Sequence, residues 1–183
     1  MADAAVRCRE HGHGRHRRRS AQYRDAPWLT HSRGPDRCRA GNRRRRRNAG
    51  SWDGSLYALS LADGNLEWAV DTGSGISTPP AVVDETVVVG NGAGSLAALD
   101  AASGEPSWTI ELPAPVRAGP VIADGTLYVG CGDDRLYARS PTDGSELWSF
   151  RTAGPVAGGP TVADGTVYIQ SHDDYVHAID IAD

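Results

Sequence analysis

The 183-residue sequence contains no lysine, one phenylalanine and one methionine. Its three cysteines, Cys8, Cys38 and Cys131, are isolated and odd in number, so their spacing indicates neither a disulfide framework nor a zinc site. No apolar run approaches the roughly 18 residues of a membrane span, and no signal peptide is visible at the N-terminus. The fold must therefore be inferred from the glycine, proline, acid and tryptophan pattern.

Charge divides the sequence into two parts. Residues 1–50 carry 15 of the 19 arginines against four acids, a net charge of +11. Residues 51–183 carry four arginines against 19 acids, a net charge of −15. This asymmetry predicts a basic segment joined to an acidic domain. A strongly acidic surface favours solubility in salt, which is typical of halophilic proteins.

From Gly50 the chain repeats itself every 40 residues without insertion or deletion. The recurring positions include Trp68, Trp108 and Trp148, Gly64, Gly104 and Gly144, Pro80, Pro120 and Pro160, and Asp84, Asp124 and Asp164. A fixed period near 40 predicts one supersecondary unit stacked on copies of itself. The predicted copies are 50–89, 90–129 and 130–169, with a partial copy at 170–183.

Each copy predicts four short strands, because runs rich in Val, Leu, Tyr and Trp are bounded by Gly, Pro and Asp. In the first copy these strands are 55–60, 65–71, 80–83 and 86–90. Asp124-Gly125 and Asp164-Gly165 predict type I′ hairpin turns, which require positive φ at both central residues. Asp84-Glu85 occupies the same place in the first copy and predicts a strained or different turn.

Four antiparallel strands per 40 residues is the unit of a β-propeller blade, and an antiparallel β-solenoid is the alternative. Three copies plus one strand are too few for a ring of the usual four to eight blades. The sequence therefore predicts an all-β fold whose blades form an open arc rather than a closed ring. It also predicts that the chain is a fragment, whose missing blades are supplied by sequence outside it.

The segments ALSLADGNLEW, ALDAASGEPSW and ARSPTDGSELW, at 58–68, 98–108 and 138–148, resemble the tryptophan docking motif of pyrroloquinoline-quinone (PQQ) repeats. The whole of 50–183 resembles the PQQ-like β-propeller repeat family. This resemblance implies that six residues dock neighbouring blades. They are Trp68, Trp108, Trp148, Gly64, Gly104 and Gly144. The sequence departs from the motif where Ser60 and Ser140 replace the usual Asp, and where Asp63, Ser103 and Asp143 replace Thr.

The family includes quinoprotein dehydrogenases and the lipoprotein scaffold of outer-membrane protein assembly. Binding of PQQ and Ca²⁺ is suggested only by this resemblance. The sequence lacks the vicinal cysteine pair that is frequent in the dehydrogenases. We expect no catalytic, cofactor or metal residues, and a non-catalytic scaffold that binds a protein partner through its loops. A remnant of a PQQ-dependent dehydrogenase is the alternative. The resemblance also favours an extracytoplasmic or cell-surface location.

Three interpretations remain open for residues 1–49. They are an out-of-frame translation of an upstream blade, a solvated disordered tail, or an arginine arm that binds nucleic acid. Arg43–Arg47 stand where the repeat predicts a strand, and we expect that such a charge run cannot form a buried strand.

Three further patterns suggest ligands. Gly90–Gly94 resembles a phosphate loop, but such a loop needs a following helix, and here a strand is predicted to follow. Asp133-Asp134 and Asp173-Asp174 offer oxygens to a cation, yet both pairs occupy turn positions that favour Asp. His172 and His177 are predicted to point to opposite faces of one strand, which argues against joint metal ligation.

Overall fold

The computed structural model describes residues 46–181, which form fourteen strands and no helix. The first sheet contains β1 (Arg46–Gly50), β2 (Ser55–Ser60) and β3 (Leu66–Asp71). The second contains β4 (Ala81–Val83), β5 (Thr86–Gly90), β6 (Ser95–Asp100) and β7 (Pro106–Glu111). The third contains β8 (Val116–Ala123), β9 (Thr126–Cys131), β10 (Arg135–Arg139) and β11 (Glu146–Arg151). The fourth contains β12 (Thr161–Ala163), β13 (Thr166–Gln170) and β14 (Val176–Asp180). Neighbouring strands are antiparallel throughout, which confirms the predicted all-β class.

The sheets are offset from the copies that the sequence period suggested. Each four-stranded sheet takes the last two strands of one predicted copy and the first two of the next. The predicted boundaries at 89–90 and 129–130 therefore cut through the second and third sheets. A Gly/Pro/Ser-rich stretch between β3 and β4, and a shorter stretch with two prolines between β7 and β8, cross from one sheet to the next. In place of three blades and one strand, the described residues form two four-stranded and two three-stranded sheets.

The expectation for the arginine run is corrected in the part that the structure describes. Arg46 and Arg47 begin β1, which pairs along its length with β2. The strand is tolerated because it lies at the edge of the sheet among the described strands and both arginines are only partly buried. Within the described residues, the first sheet therefore extends upstream of Gly50 to Arg46. Residues 1–45, and with them most of the segment given three interpretations above, lie outside the described residues.

The hairpin turns follow the turn chemistry of the sequence. Asp124 and Gly125 have φ of 49° and 77°, and Asp164 and Gly165 have φ of 49° and 72°, as type I′ geometry requires. Asp84 also has positive φ, at 50°, whereas Glu85 does not. The predicted departure at Asp84-Glu85 is therefore confirmed, because Glu avoids the left-handed region that glycine enters at little cost.

Three apolar clusters lie between the four sheets. We call the side of each sheet that packs on the next sheet in chain order its forward face, and the opposite side its backward face. In the fourth sheet, the forward face is the side that carries the same repeat positions. Between the second and third sheets, Val88, Leu96 and Ala98 of the forward face pack against Leu127 and Val129 of the backward face. Equivalent positions form the clusters between the first and second and between the third and fourth sheets. The apolar core of the described residues therefore consists of side chains that are buried between neighbouring sheets.

The sheets follow one another in chain order as an open arc. Within residues 46–181, no strand pairing joins the first sheet to the fourth. β4 and β8, the first strands of the two complete sheets, contact each other across the interface. In this described range no helix is long and apolar enough to cross a membrane.

Candidate interaction surface

The tryptophans of the outer strands link consecutive sheets. Trp68 on β3 donates a hydrogen bond through Nε1 to the carbonyl oxygen of Ala101 in the next sheet, at 3.1 Å. Trp108 on β7 makes the equivalent bond to Pro141, at 3.0 Å. In both cases the acceptor lies in the turn before the next sheet's outer strand, and the indole satisfies its polar N–H while its ring packs on apolar side chains.

The turn glycines at 104 and 144 lie against these indoles. A Cβ added at Gly104 would stand 2.8 Å from Cδ2 of Trp68, and one at Gly144 would stand 2.9 Å from Cε3 of Trp108. Gly64 occupies the same turn of the first sheet, but nothing lies within 4 Å of the place its Cβ would take. All three have positive φ, between 70° and 78°. Conformation therefore favours glycine at all three positions, whereas close packing requires it at only two.

Trp148 on β11 has different surroundings. Its ring lies 5.9 Å from that of Tyr128, measured between centroids and tilted by 54°. It packs against the cluster between the third and fourth sheets, which Ile179 and Ile181 also contact. The repeat register places Ile181 where Ala101 and Pro141 stand in the earlier sheets.

Acid–aromatic pairs occupy the opposite end of the sheets, in the turns that join β1 to β2 and its equivalents. Tyr137 donates to Asp133 Oδ2 at 2.5 Å, and Tyr57 donates to Asp53 Oδ2 at 2.7 Å. In the fourth sheet His177 Nε2 lies 2.9 Å from Asp173 Oδ2. Sequence reasoning assigned the acids to turns but missed their partners. An acid followed four residues later by Tyr or His, repeated at multiples of 40, was the available signal.

In the third sheet, burial and the nearby Asp133 carboxylate suppress the reactivity of the side chains at the turn between β9 and β10. Cys131 is a buried free cysteine whose thiol donates to the Ala114 carbonyl at 3.2 Å. Burial, reinforced by the neighbouring Asp133 carboxylate, raises its pKa to about 11. Burial and the hydrogen bond to Asp133 also raise the pKa of Tyr137. A thiol that stays protonated at neutral pH is a poor nucleophile, so these groups support the turn instead of reacting.

The remaining ligand patterns are also located within hairpins. The glycine-rich stretch at 90–94 joins β5 to β6, so a strand follows it as predicted. Asp134 and Asp174 adopt positive φ in tight turns, and Asp133 and Asp173 accept hydrogen bonds from their aromatic partners. His172 lies in a turn rather than in a strand, which corrects the expected shared strand with His177.

Calcium and PQQ, which the family resemblance suggests, would need suitable ligands from the protein. Calcium takes six to eight oxygen ligands, several of them carboxylates. Within residues 46–181, no three His, Cys, Asp or Glu side chains lie close enough together to hold a metal ion. We assign no chemical step to a calcium–quinone pair in this part of the chain.

A surface cavity of about 420 Å³ opens between the first two sheets, at the end where β2 turns into β3. It is lined by Arg46, Ser60, Asp63, Asn65, Leu66, Glu67 and Ala102. Arg46 Nε donates to Glu67 Oε2, which fixes the ion pair at the wall. Asp63 accepts hydrogen bonds from Ser60 and Asn65, which hold the pKa of its carboxyl below the usual value.

The cavity offers both polar and apolar contacts. Leu66 lines it with 49% of its surface exposed, and Leu61 in the same turn is 50% exposed. Glu67 Oε1 is buried and accepts no hydrogen bond from the described residues. A buried acceptor without a donor is costly, but this oxygen is not accessible from the cavity. The polar side chains that are open to a ligand are those of Ser60, Asp63 and Asn65. The sequence predicted loop binding in general but did not locate this cavity, because Arg46 and Ala102 meet only through sheet packing.

The family model described as outer membrane protein assembly factor BamB matches residues 52–138 and 115–183. The chain belongs to the PQQ-like repeat family. This confirms the resemblance drawn from the docking motif. Among curated proteins, none matches the chain.

Solved structures show the same fold. BamB from Moraxella catarrhalis has a TM-score of 0.70 at 25% identity, over 76% of this chain and 47% of BamB. The computationally designed Ika4 protein has a TM-score of 0.68 at 17% identity, over 75% of this chain and 86% of that protein. The quinohemoprotein alcohol dehydrogenase ADHIIG from Pseudomonas putida HK5 has a TM-score of 0.64 at 19% identity, over 69% of this chain and 27% of the enzyme. The chain thus spans about half the length of BamB.

Proposed function

We propose that this PQQ-like repeat chain is a non-catalytic scaffold that binds a protein partner. The observation that carries the proposal is the cavity between the first two sheets, where exposed leucines adjoin polar side chains. The BamB description of the matching family supports the same class of function. It also supports a location outside the cytoplasm, which we include in the proposal.

The chemistry of the cavity favours a polypeptide segment as its occupant. Leu66 offers apolar area, which a partner's apolar side chain would bury. Ser60, Asp63 and Asn65, which also line the cavity, offer hydrogen-bonding groups to a peptide backbone. Because Arg46 is held against Glu67, these two side chains of the cavity wall already have a fixed position. Binding a partner would therefore cost little side-chain entropy at this wall.

A remnant of a PQQ-dependent dehydrogenase is the second candidate. The specific observation in its favour is the fold likeness to the quinohemoprotein alcohol dehydrogenase. A spectroscopic titration of the purified chain with PQQ and Ca²⁺ separates the two functions. The scaffold proposal expects no saturable uptake, whereas stoichiometric uptake would favour the enzyme.

A photo-crosslinking amino acid at position 66, introduced in the native host, tests the scaffold directly. We expect it to capture a defined partner, identified by mass spectrometry and then purified. Position 147 provides the matched control, because Leu147 is also an exposed leucine, on β11 away from the cavity.

The purified partner then allows a quantitative test by calorimetry. Leu66→Asp should weaken binding at least tenfold, because it puts a charge on the apolar wall, while Leu147→Asp should leave the affinity unchanged. Equal capture from positions 66 and 147, or unchanged binding by Leu66→Asp, contradicts the proposed site.

A further inference from the structure

The forward face of the fourth sheet is exposed, although its counterparts are buried in the other three sheets. Val176 on β14 is 67% exposed, whereas the equivalent Leu56, Leu96 and Leu136 are fully buried. Tyr168 on β13 is 42% exposed, against 2% for Tyr128. Ala178 is likewise exposed, while Ala58, Ala98 and Ala138 are buried. The fourth sheet thus presents an apolar face that this repeat normally covers.

Within the molecule, each covered forward face meets the backward face of another sheet. Three such interfaces form along the chain, and each places the same repeat positions opposite one another. Leu136 of the third sheet, for example, belongs to one cluster with Val167 and Ile169 of the fourth. The surface complementary to an exposed forward face is therefore a backward face of the same repeat.

The first sheet carries such a backward face. The repeat register places Arg47, Ala49 and Leu59 at the positions of Val87, Val89 and Leu99, which are buried against the first sheet. Arg47 and Leu59 are only partly buried. A cation in this face is suited to an acidic neighbour, and residues 51–183 carry a net charge of −15.

The number of described sheets is compatible with two copies in one ring. Two copies, each contributing the four sheets formed by residues 46–181, would place eight sheets in sequence, within the usual range for a closed propeller. Head-to-tail interfaces close into a ring when the rotation between copies permits it.

We propose that a second copy of this chain covers the exposed face, with the backward face of its first sheet packed on the forward face of the fourth. The same contact, repeated in the other direction, closes two copies into one ring. This interface is distinct from the cavity in the proposed function, so either can fail without the other. It would bury Val176 and Tyr168 as their counterparts are buried within the chain.

Sedimentation equilibrium of the full 183-residue protein tests the proposal. We expect a mass twice the 19.4 kDa of the chain at micromolar concentration. Val176→Arg should weaken dimerisation at least tenfold, because it buries a second cation beside Arg47 of the other copy in the apolar contact. Leu147→Arg, which places the same charge at another exposed apolar residue, should leave the dimer intact. A monomeric wild-type protein, or open-ended growth with concentration, would overturn the ring.

A second variant tests the head-to-tail arrangement. Arg47→Glu alters only the backward face, so it should also weaken the dimer at least tenfold. An Arg47→Glu chain mixed with a Val176→Arg chain still offers one unaltered face from each. The mixture should therefore recover a dimer in which both chains are present, detected by mass spectrometry of differently labelled chains. If Arg47→Glu dimerises like the wild type, or the mixture stays monomeric, the arrangement is wrong. Circular dichroism of each variant checks that the sheets remain folded.

Discussion

The turns at Gly64 and Gly104 have the same place in the repeat and nearly the same backbone, but they have different neighbours. Their φ values are 70° and 78°. Gly104 lies against the indole of Trp68 from the preceding sheet, whereas no atom lies within 4 Å of a Cβ built at Gly64. Position in the repeat therefore fixes the turn conformation, while contact between sheets adds a steric demand only where an indole arrives.

The largest effect is expected from removing an indole at such a contact. Trp108→Ala should lower the free energy of unfolding by about 3–5 kcal/mol, because it leaves a cavity between the second and third sheets and removes the bond to Pro141. Urea denaturation measures the change. Trp52→Ala is the matched control, since Trp52 is 62% exposed, and should change stability by at most about 0.5 kcal/mol. Similar losses for both variants would contradict a specific role for the contact.

The glycine comparison itself gives the next effect. Gly104→Ala should destabilise by about 2–4 kcal/mol, since a positive-φ penalty is added to overlap with Trp68. Gly64→Ala should cost about 1 kcal/mol, because only the backbone penalty applies.

A double-mutant cycle separates the two terms. In a Trp68→Ala background, the cost of Gly104→Ala should fall to that of Gly64→Ala, because the overlapping ring is absent. An unchanged cost in that background would show that the indole does not impose the requirement.

The sequence predicted the strands and the turns well because both depend on local chemistry. The Asp-Gly turns, for example, follow from positive φ at Asp124 and Gly125. The sheet boundaries were missed because a period states the length of a unit without stating which strands pair. The connection between β3 and β4 was the available signal, since it is too long and too rich in Pro and Gly for a tight turn.

The candidate site was less predictable, because it depends on contacts between distant residues. The resemblance named Trp68 and Trp108, but their acceptors at Ala101 and Pro141 lie 33 residues away and depend on sheet packing. The cavity depends on Arg46 pairing with Glu67, and the sequence placed Arg46 outside the repeats.

A smaller effect is expected at the tight turns that join β4 to β5 and β8 to β9. Gly125→Ala should cost about 1 kcal/mol, because φ is 77° and the space around it is open. Glu85→Ala should change the unfolding free energy by at most about 0.5 kcal/mol, since Glu85 already avoids positive φ. Thermal unfolding of the two variants measures the difference. Equal costs would show that both turns make the same conformational demand.

The smallest effect concerns the acid–aromatic pairs of the first and fourth sheets, and it depends on pH. Burial raises the pKa of Asp173, but hydrogen bonds from Ala153, His177, Tyr175 and Ser171 outweigh it and hold the pKa at about 2. The folded protein therefore binds this proton less readily than the unfolded chain, in which the pKa of the carboxyl is about 3.8. The resulting stability is present above about pH 4 and is lost as pH falls towards 2.

Asp173→Asn should flatten the decline of unfolding free energy between pH 4 and 2, as measured by urea denaturation at each pH. Asp53→Asn provides the comparison in the first sheet. Burial also raises the pKa of Asp53, and the hydrogen bonds from Tyr57 and from Ser55 and Ser51 lower it overall. Because the Asp173 pKa is depressed far enough to reach about 2, its replacement should flatten the profile more than that of Asp53. An unchanged slope in Asp173→Asn would mean that ionisation of this carboxyl is not coupled to folding.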